Sequence, residues 1–271
     1  MKLASAVAKT CIALLLISLA LACESAAQAV ANKQSILSQA RGAYYNLRTE
    51  GLSAFECSLT PNWDLLLQDL RKQDAESAAS AVKTLNQLHF SALFGADDSV
   101  KLKHNELAGQ NERMMNALQQ IYQGMEQMAS GFFDTWKLFM VNRPFPAVGD
   151  EYQLDLVGQD YRLSYREGAA DVVTTMGRDF TISNVKITTP EFDSSLQPRF
   201  TKTPKGFVLN SYNATYQSQK PEETTKLTVS MEYQQVEGMQ MPQKLSLSGT
   251  YGGAPFAVDL GFSDCRVTKK Q

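Results

Sequence analysis

From Tyr152 to Lys270 the chain runs as short stretches in which apolar and polar residues alternate, and this half of the sequence constrains the fold most. The stretches "YQLDLVG", "YRLSYRE", "DVVTTMG", "DFTISNVKITT", "RFTKTPKGFVLNSYNATYQ", "TKLTVSMEYQQVEG", "MPQKLSLSG" and "FAVDLGFSDCRVTKK" are separated by Gly, Pro or charged turns. A period of two places every second side chain on the same face of a strand, so each run has one face to bury and one for water. Strands of that kind, joined by short turns, form an antiparallel meander. The expected meander covers residues 150–270.

Residues 30–141 read differently. Ile36, Leu37, Ala40, Tyr44 and Leu47 recur at steps of three and four, which predicts a first helix over 31–50 stopped by Gly51. "LSAFECSLT" (52–60) reads as a strand. Thr60 and Pro61 then resemble an N-cap and first helical position, opening a helix to about residue 83. Alternation through Leu88, Phe90, Ala92 and Phe94, the turn "GADD", and Val100 with Leu102 predict a hairpin. From about Ala108 to Met140 a long amphipathic helix is expected, with Gly124 and Gly131 as points of bending. Helices early and a large sheet late make the class α+β, read as one domain over 30–271.

The first 29 residues do not belong to that domain. Lys2 and Lys9 precede an apolar run of 12 residues, Cys11 to Ala22, shorter than the ~20 needed to span a membrane. This predicts a signal peptide. Its cleavage has two readings: "ALAC" (Ala20–Cys23) resembles a bacterial lipobox that would leave Cys23 as the lipidated first residue, and "AQA" (Ala27–Ala29) is an ordinary small-x-small site. The expected location is therefore the periplasm, or the bacterial envelope with membrane anchoring through Cys23. Without residues 1–29 the chain keeps 24 basic and 27 acidic side chains, a net charge near −3. That balance argues against nucleic acid as a partner.

Two cysteines remain in either case, Cys57 and Cys265. In an exported chain they read as one disulfide tying the first strand to the last, with two separately buried thiols as the alternative. For catalysis the sequence offers little. His89 and His104 stand in no metal or nucleophile spacing, the pairs Asp97/Asp98 and Glu222/Glu223 sit in turns, and no Gly-rich phosphate loop is present. No catalytic residue, metal or cofactor is expected.

The stripe on the long helix is the most suggestive feature. Met115, Leu118, Tyr122, Met125, Phe132 and Trp136 recur every three or four residues, and methionine walls adapt to flexible apolar ligands. The same spacing serves equally for core packed on a sheet.

The order of elements, together with "YQQVEGMQMPQKLSLSG" (Tyr233–Gly249) and "GFSDCRVTKK" (Gly261–Lys270), resembles the outer-membrane lipoprotein carrier (LolA-like) superfamily. The resemblance implies a large curved antiparallel sheet, an incomplete barrel, covered by helices. It also implies a non-catalytic binding protein that takes a lipid or lipoprotein acyl chain between sheet and helix. The competing expectation is a structural or accessory envelope protein whose helices fill the sheet completely.

Overall fold

A computed structural model describes residues 32–108, 111–142, 144–218, 224–251 and 253–270. The expected signal peptide with Cys23, and the pair Glu222/Glu223, lie outside the described residues. The chain divides into two compact units at Ala43/Tyr44. In the first, residues 32–42 form helix α1.

The second unit is built on a single sheet of twelve strands. In chain order these are β1 (Leu52–Pro61), β2 (Phe90–Phe94), β3 (Val100–His104), β4 (Tyr152–Val157), β5 (Asp160–Glu167), β6 (Ala170–Met176), β7 (Ile182–Thr188), β8 (Phe192–Thr203), β9 (Gly206–Ser218), β10 (Thr224–Val236), β11 (Met239–Tyr251) and β12 (Ala254–Lys269). Their order across the sheet is β3-β2-β1-β12-β11-β10-β9-β8-β7-β6-β5-β4, with every neighbouring pair antiparallel. The expected meander is β4 to β12. The first hairpin joins it where β1 pairs with β12, and the sheet stays open, with β3 and β4 as its edges.

Register explains why so many strands share one buried face. Leu154, Leu163, Thr174, Val185, Leu196, Ala214, Leu227, Gly249 and Phe256 are successive cross-strand partners from β4 to β12. The first six are buried. Because side chains alternate with period two, fixing this row fixes the face of every strand it crosses. Turn chemistry holds the register: Val236 pairs with Met239 around Glu237 and Gly238, both at positive φ (50° and 83°), a two-residue turn whose twist suits a hairpin.

Cys57 and Cys265 are bonded, with Cα atoms 4.1 Å apart. Between Glu56↔Arg266 and Ser58↔Ser263 the β12 side carries an extra residue, and Asp264 takes φ 49° there. This bulge sets Cys265 beside Cys57. Gln234 closes the region from β10, its amide donating to the carbonyls of Pro242 (2.9 Å) and Phe262 (3.0 Å).

The helices depart from expectation at two places. The first ends at residue 42, and Tyr44 makes a parallel bridge to Phe207, so the apolar spacing of Tyr44 and Leu47 serves extended and turn structure. Thr60 and Pro61 belong to β1, with Pro61 opposite Leu260. Asn62 is the cap instead, its side chain accepting from the Leu65 N–H (3.2 Å). The single helix expected beyond it is three: α2 (Trp63–Leu66), α3 (Gln68–Gln73) and α4 (Ala75–Leu85). Asp74 starts α4 by accepting from the Ser77 N–H (3.0 Å) and hydroxyl (2.6 Å), and cap formation competes with helix continuation at such residues. The long helix, α5 (Glu112–Lys137), runs through Gly124 and Gly131 and closes in a π-turn at Leu138–Asn142.

Candidate binding cavity

α5 is long enough, about 39 Å at 1.5 Å per residue, to cross many strands. Its contacts mark the path. Tyr122 lies flat on His104 of β3, Phe133 meets Phe55 of β1, Phe132 meets Phe262 of β12, and Phe139 of the π-turn meets Phe200 of β8. Part of the space beneath is filled. Trp136, fully buried, has the rings of Phe55, Phe94 and Phe133 at 5.8, 6.4 and 5.9 Å.

Beside that filled region a cavity of about 580 Å³ remains between α5, α2 and the strands β9 to β12. Its floor is Met125 and Phe132 from α5 with Tyr212, Leu247 and Val258 from the sheet, all buried. Its rim is Leu66, Ile121, Met128, Leu227 and Phe256, which are partly exposed, and Gly124 and Gly131. The sheet wall is a consequence of register: Tyr212, Val229, Leu247 and Val258 form one cross-strand row, and Leu227, Gly249 and Phe256 belong to the next row on the same face.

The two glycines have no steric justification within the helix. A Cβ built at Gly124 or Gly131 meets nothing within 4 Å. Each glycine costs about 1 kcal/mol of helix stability relative to alanine, so the chain gives up helical preference where the rim stays low.

The stripe residues divide between the two regions. Met125 and Phe132 line the cavity. Leu118, Tyr122 and Trp136 are buried outside it, and Met115 is 44% exposed. Helical geometry gives the reason. At about 100° per residue, Met125 and Phe132 fall on the edge of the stripe nearest Ile121, Gly124, Met128 and Gly131, while Tyr122 and Phe133 fall on the opposite edge. A second, sparser stripe of Ile121, Gly124, Met128 and Gly131 was therefore the sequence signal for the cavity side.

Polar groups are few. None of the described lining residues carries a charge; Gln127, Thr225, the indole N–H of Trp63 and the hydroxyls of Tyr212 and Tyr216 are the polar groups. Tyr212 and Tyr216, four apart on β9 and so on one face, line the cavity, while the Thr135 hydroxyl of α5 donates to the Gly131 carbonyl at 3.3 Å. Burial pushes both phenols above their ordinary range, so they stay neutral.

The titratable residues weighed in the sequence serve local structure. Asp97 accepts from the Ser99 N–H (3.1 Å) and hydroxyl (2.7 Å), and Asp98, at φ 61°, pairs with Arg48. The backbone N–H of His89 donates to the Asn105 side chain (2.7 Å). Among the described residues no group of three or more His, Cys, Asp or Glu is placed to hold a metal, and no helix is long and apolar enough to cross a membrane. Comparison with family models, with curated proteins and with solved structures finds no match for this chain.

Proposed function

We propose that the protein is a non-catalytic binder of an apolar ligand, a lipid or a lipoprotein acyl chain, held between α5 and the sheet. The cavity of about 580 Å³ carries the reading. It falls within the ~300–1,000 Å³ typical of small-molecule sites, and apolar side chains dominate its wall. Binding there needs no chemistry, since burying apolar surface contributes roughly 25 cal/mol per Å².

The finer architecture follows the same reading: a curved, incomplete barrel of the lipoprotein-carrier kind with α5 across its concave face. Support comes from a length comparison. Seven strand spacings from β3 to β8, at ~4.8 Å each, amount to about 34 Å, yet the helix residues touching those strands, Tyr122 and Phe139, are only about 26 Å apart along the axis. A helix shorter than the arc it spans fits a sheet concave toward it. Export, and anchoring through a lipidated Cys23, belong to the same proposal and rest on the sequence of residues 1–29.

Native mass spectrometry of the full purified chain tests the reading. The expected spectrum carries adducts of lipid mass that an added apolar probe displaces. A bare mass that takes up no added lipid contradicts it, and favours the alternative of a structural or accessory protein with a filled core.

A further inference from the structure

The capacity of the cavity sets how many chains its ligand carries, an inference that deepens the binding reading and rests on it. A dry apolar cavity of about 150 Å³ holds one benzene, or roughly 25 Å³ per carbon. At that density the cavity of about 580 Å³ takes about 23 carbons. One unbranched acyl chain of about 16 to 18 carbons fits, and two such chains, with about 32 carbons or more, do not.

The space does not extend toward Trp136. Phe132, on the cavity floor, packs against Phe133 at 4.9 Å, and Phe133 against Trp136 at 5.9 Å. A close-packed cluster of that kind takes in no further chain without forcing its side chains out of place. The way out is the rim, where Leu66, Ile121 and Met128 are partly exposed. A polar head left at the rim keeps its water, whereas a charged head drawn inside would meet no ionic partner among the described lining residues. A second chain left at the rim also stays in water, and each methylene it fails to bury forgoes about a fourfold gain in affinity. Met125 and Met128 border the space with unbranched side chains that adapt to a flexible chain.

We propose that the cavity takes a lipid with one acyl chain in preference to lipids with two or three. The chain lies along Met125, Phe132, Leu247 and Val258, and the head stays at the rim.

The test compares probes that share one head and differ in their chains, delivered from cyclodextrin to the full chain: lysophosphatidylcholines of increasing chain length, and dipalmitoylphosphatidylcholine. Native mass spectrometry gives the stoichiometry and calorimetry the affinity. Palmitoyl lysophosphatidylcholine binds as one molecule per protein, and at least about tenfold tighter than the two-chain lipid. Affinity climbs about fourfold per methylene and levels off near about 23 carbons. Val258→Phe adds about four carbons to the floor and brings the plateau to chains shorter by about that number. Should that floor position not tolerate the ring, Leu227→Phe at the partly exposed rim adds about three carbons and reads the same shift. Equal affinity for one-chain and two-chain lipid, two lysolipids bound together, or a plateau that neither substitution moves overturns the one-chain selectivity while leaving the binder reading standing. Failure of every probe to bind overturns both.

Discussion

Phe132 and Phe133, with ring centroids 4.9 Å apart, mark the border between open and filled space under α5: Phe132 lines the cavity, and Phe133 packs on Phe55 and Trp136. Both are buried, at 2% and 1% exposure, so exposure alone does not distinguish them. Substitution does. Phe133→Ala removes a ring from a close-packed cluster and is expected to cost about 3–5 kcal/mol in denaturant unfolding. Met128→Ala, at the partly exposed rim, is expected to cost well under that while weakening uptake of an apolar probe. Equal destabilisation by the two would mean the rim is as tightly packed as the core.

The disulfide supplies a second prediction. Cys57 and Cys265 lie 208 residues apart in sequence but on neighbouring strands, β1 and β12. Closing so long a loop restricts the unfolded chain by roughly 5 kcal/mol at most. The Cys57→Ala/Cys265→Ala variant should lose several kcal/mol in guanidinium melts under oxidising conditions, with the folded circular dichroism spectrum retained. A variant as stable as the reduced and oxidised wild type alike would show that the link contributes nothing.

Two glycines are expected to respond with opposite sign. Gly131 is helical and faces open space, so Gly131→Ala should stabilise by about 1 kcal/mol through helix preference. Gly249, on β11, sits where an added Cβ runs into the Lys226 carbonyl and the Leu227 side chain. Gly249→Ala should therefore destabilise by about 1–3 kcal/mol through overpacking between β10 and β11. Thermal melts of the two variants read the signs directly.

Much of this architecture was legible because it is local. The period-two runs identified β4 to β12, and the Glu237–Gly238 turn was visible as a Gly-centred bend. The pairing of first strand with last was carried by the two cysteines. What was hidden depended on partners distant in sequence. Thr60–Pro61 satisfies the local rules for a helix start, but pairing of Pro61 with Leu260 keeps it in β1 and moves the cap to Asn62. Tyr44 fits a helical stripe, yet its hydroxyl accepts from the Ile182 N–H and donates to the Phe180 carbonyl, both at 2.8 Å, which requires it outside the helix. In the stripe, Met125 and Leu118 carry the same signal, and only the position of the sheet decides which faces a void. Gly124 and Gly131 read as bends because sequence shows the missing side chain and not the space left by it.

Acid should act on the β6–β7 turn that Tyr44 holds. The Asp179 carboxylate accepts from the Thr181 N–H (3.0 Å) and hydroxyl (2.9 Å), which holds it below the usual carboxylate range. A depressed folded pKa stabilises the fold above the unfolded value of about 4 and loses that contribution as pH falls through the folded value. Melting temperatures measured from about pH 6 downward should fall more steeply for the wild type than for Asp179→Asn. Parallel curves would show that the turn carboxylate plays no part in acid stability.

The claim that space under α5 is kept for a ligand is tested most directly by closing its mouth. The Gly124→Leu/Gly131→Leu variant places two isobutyl groups at the rim, where the helix leaves room for them. Native mass spectra of this variant and the wild type, recorded after exposure to the same lipid extract, are expected to show bound lipid on the wild type and little on the variant, with both chains folded. Equal lipid on both, or none on either, would contradict the account.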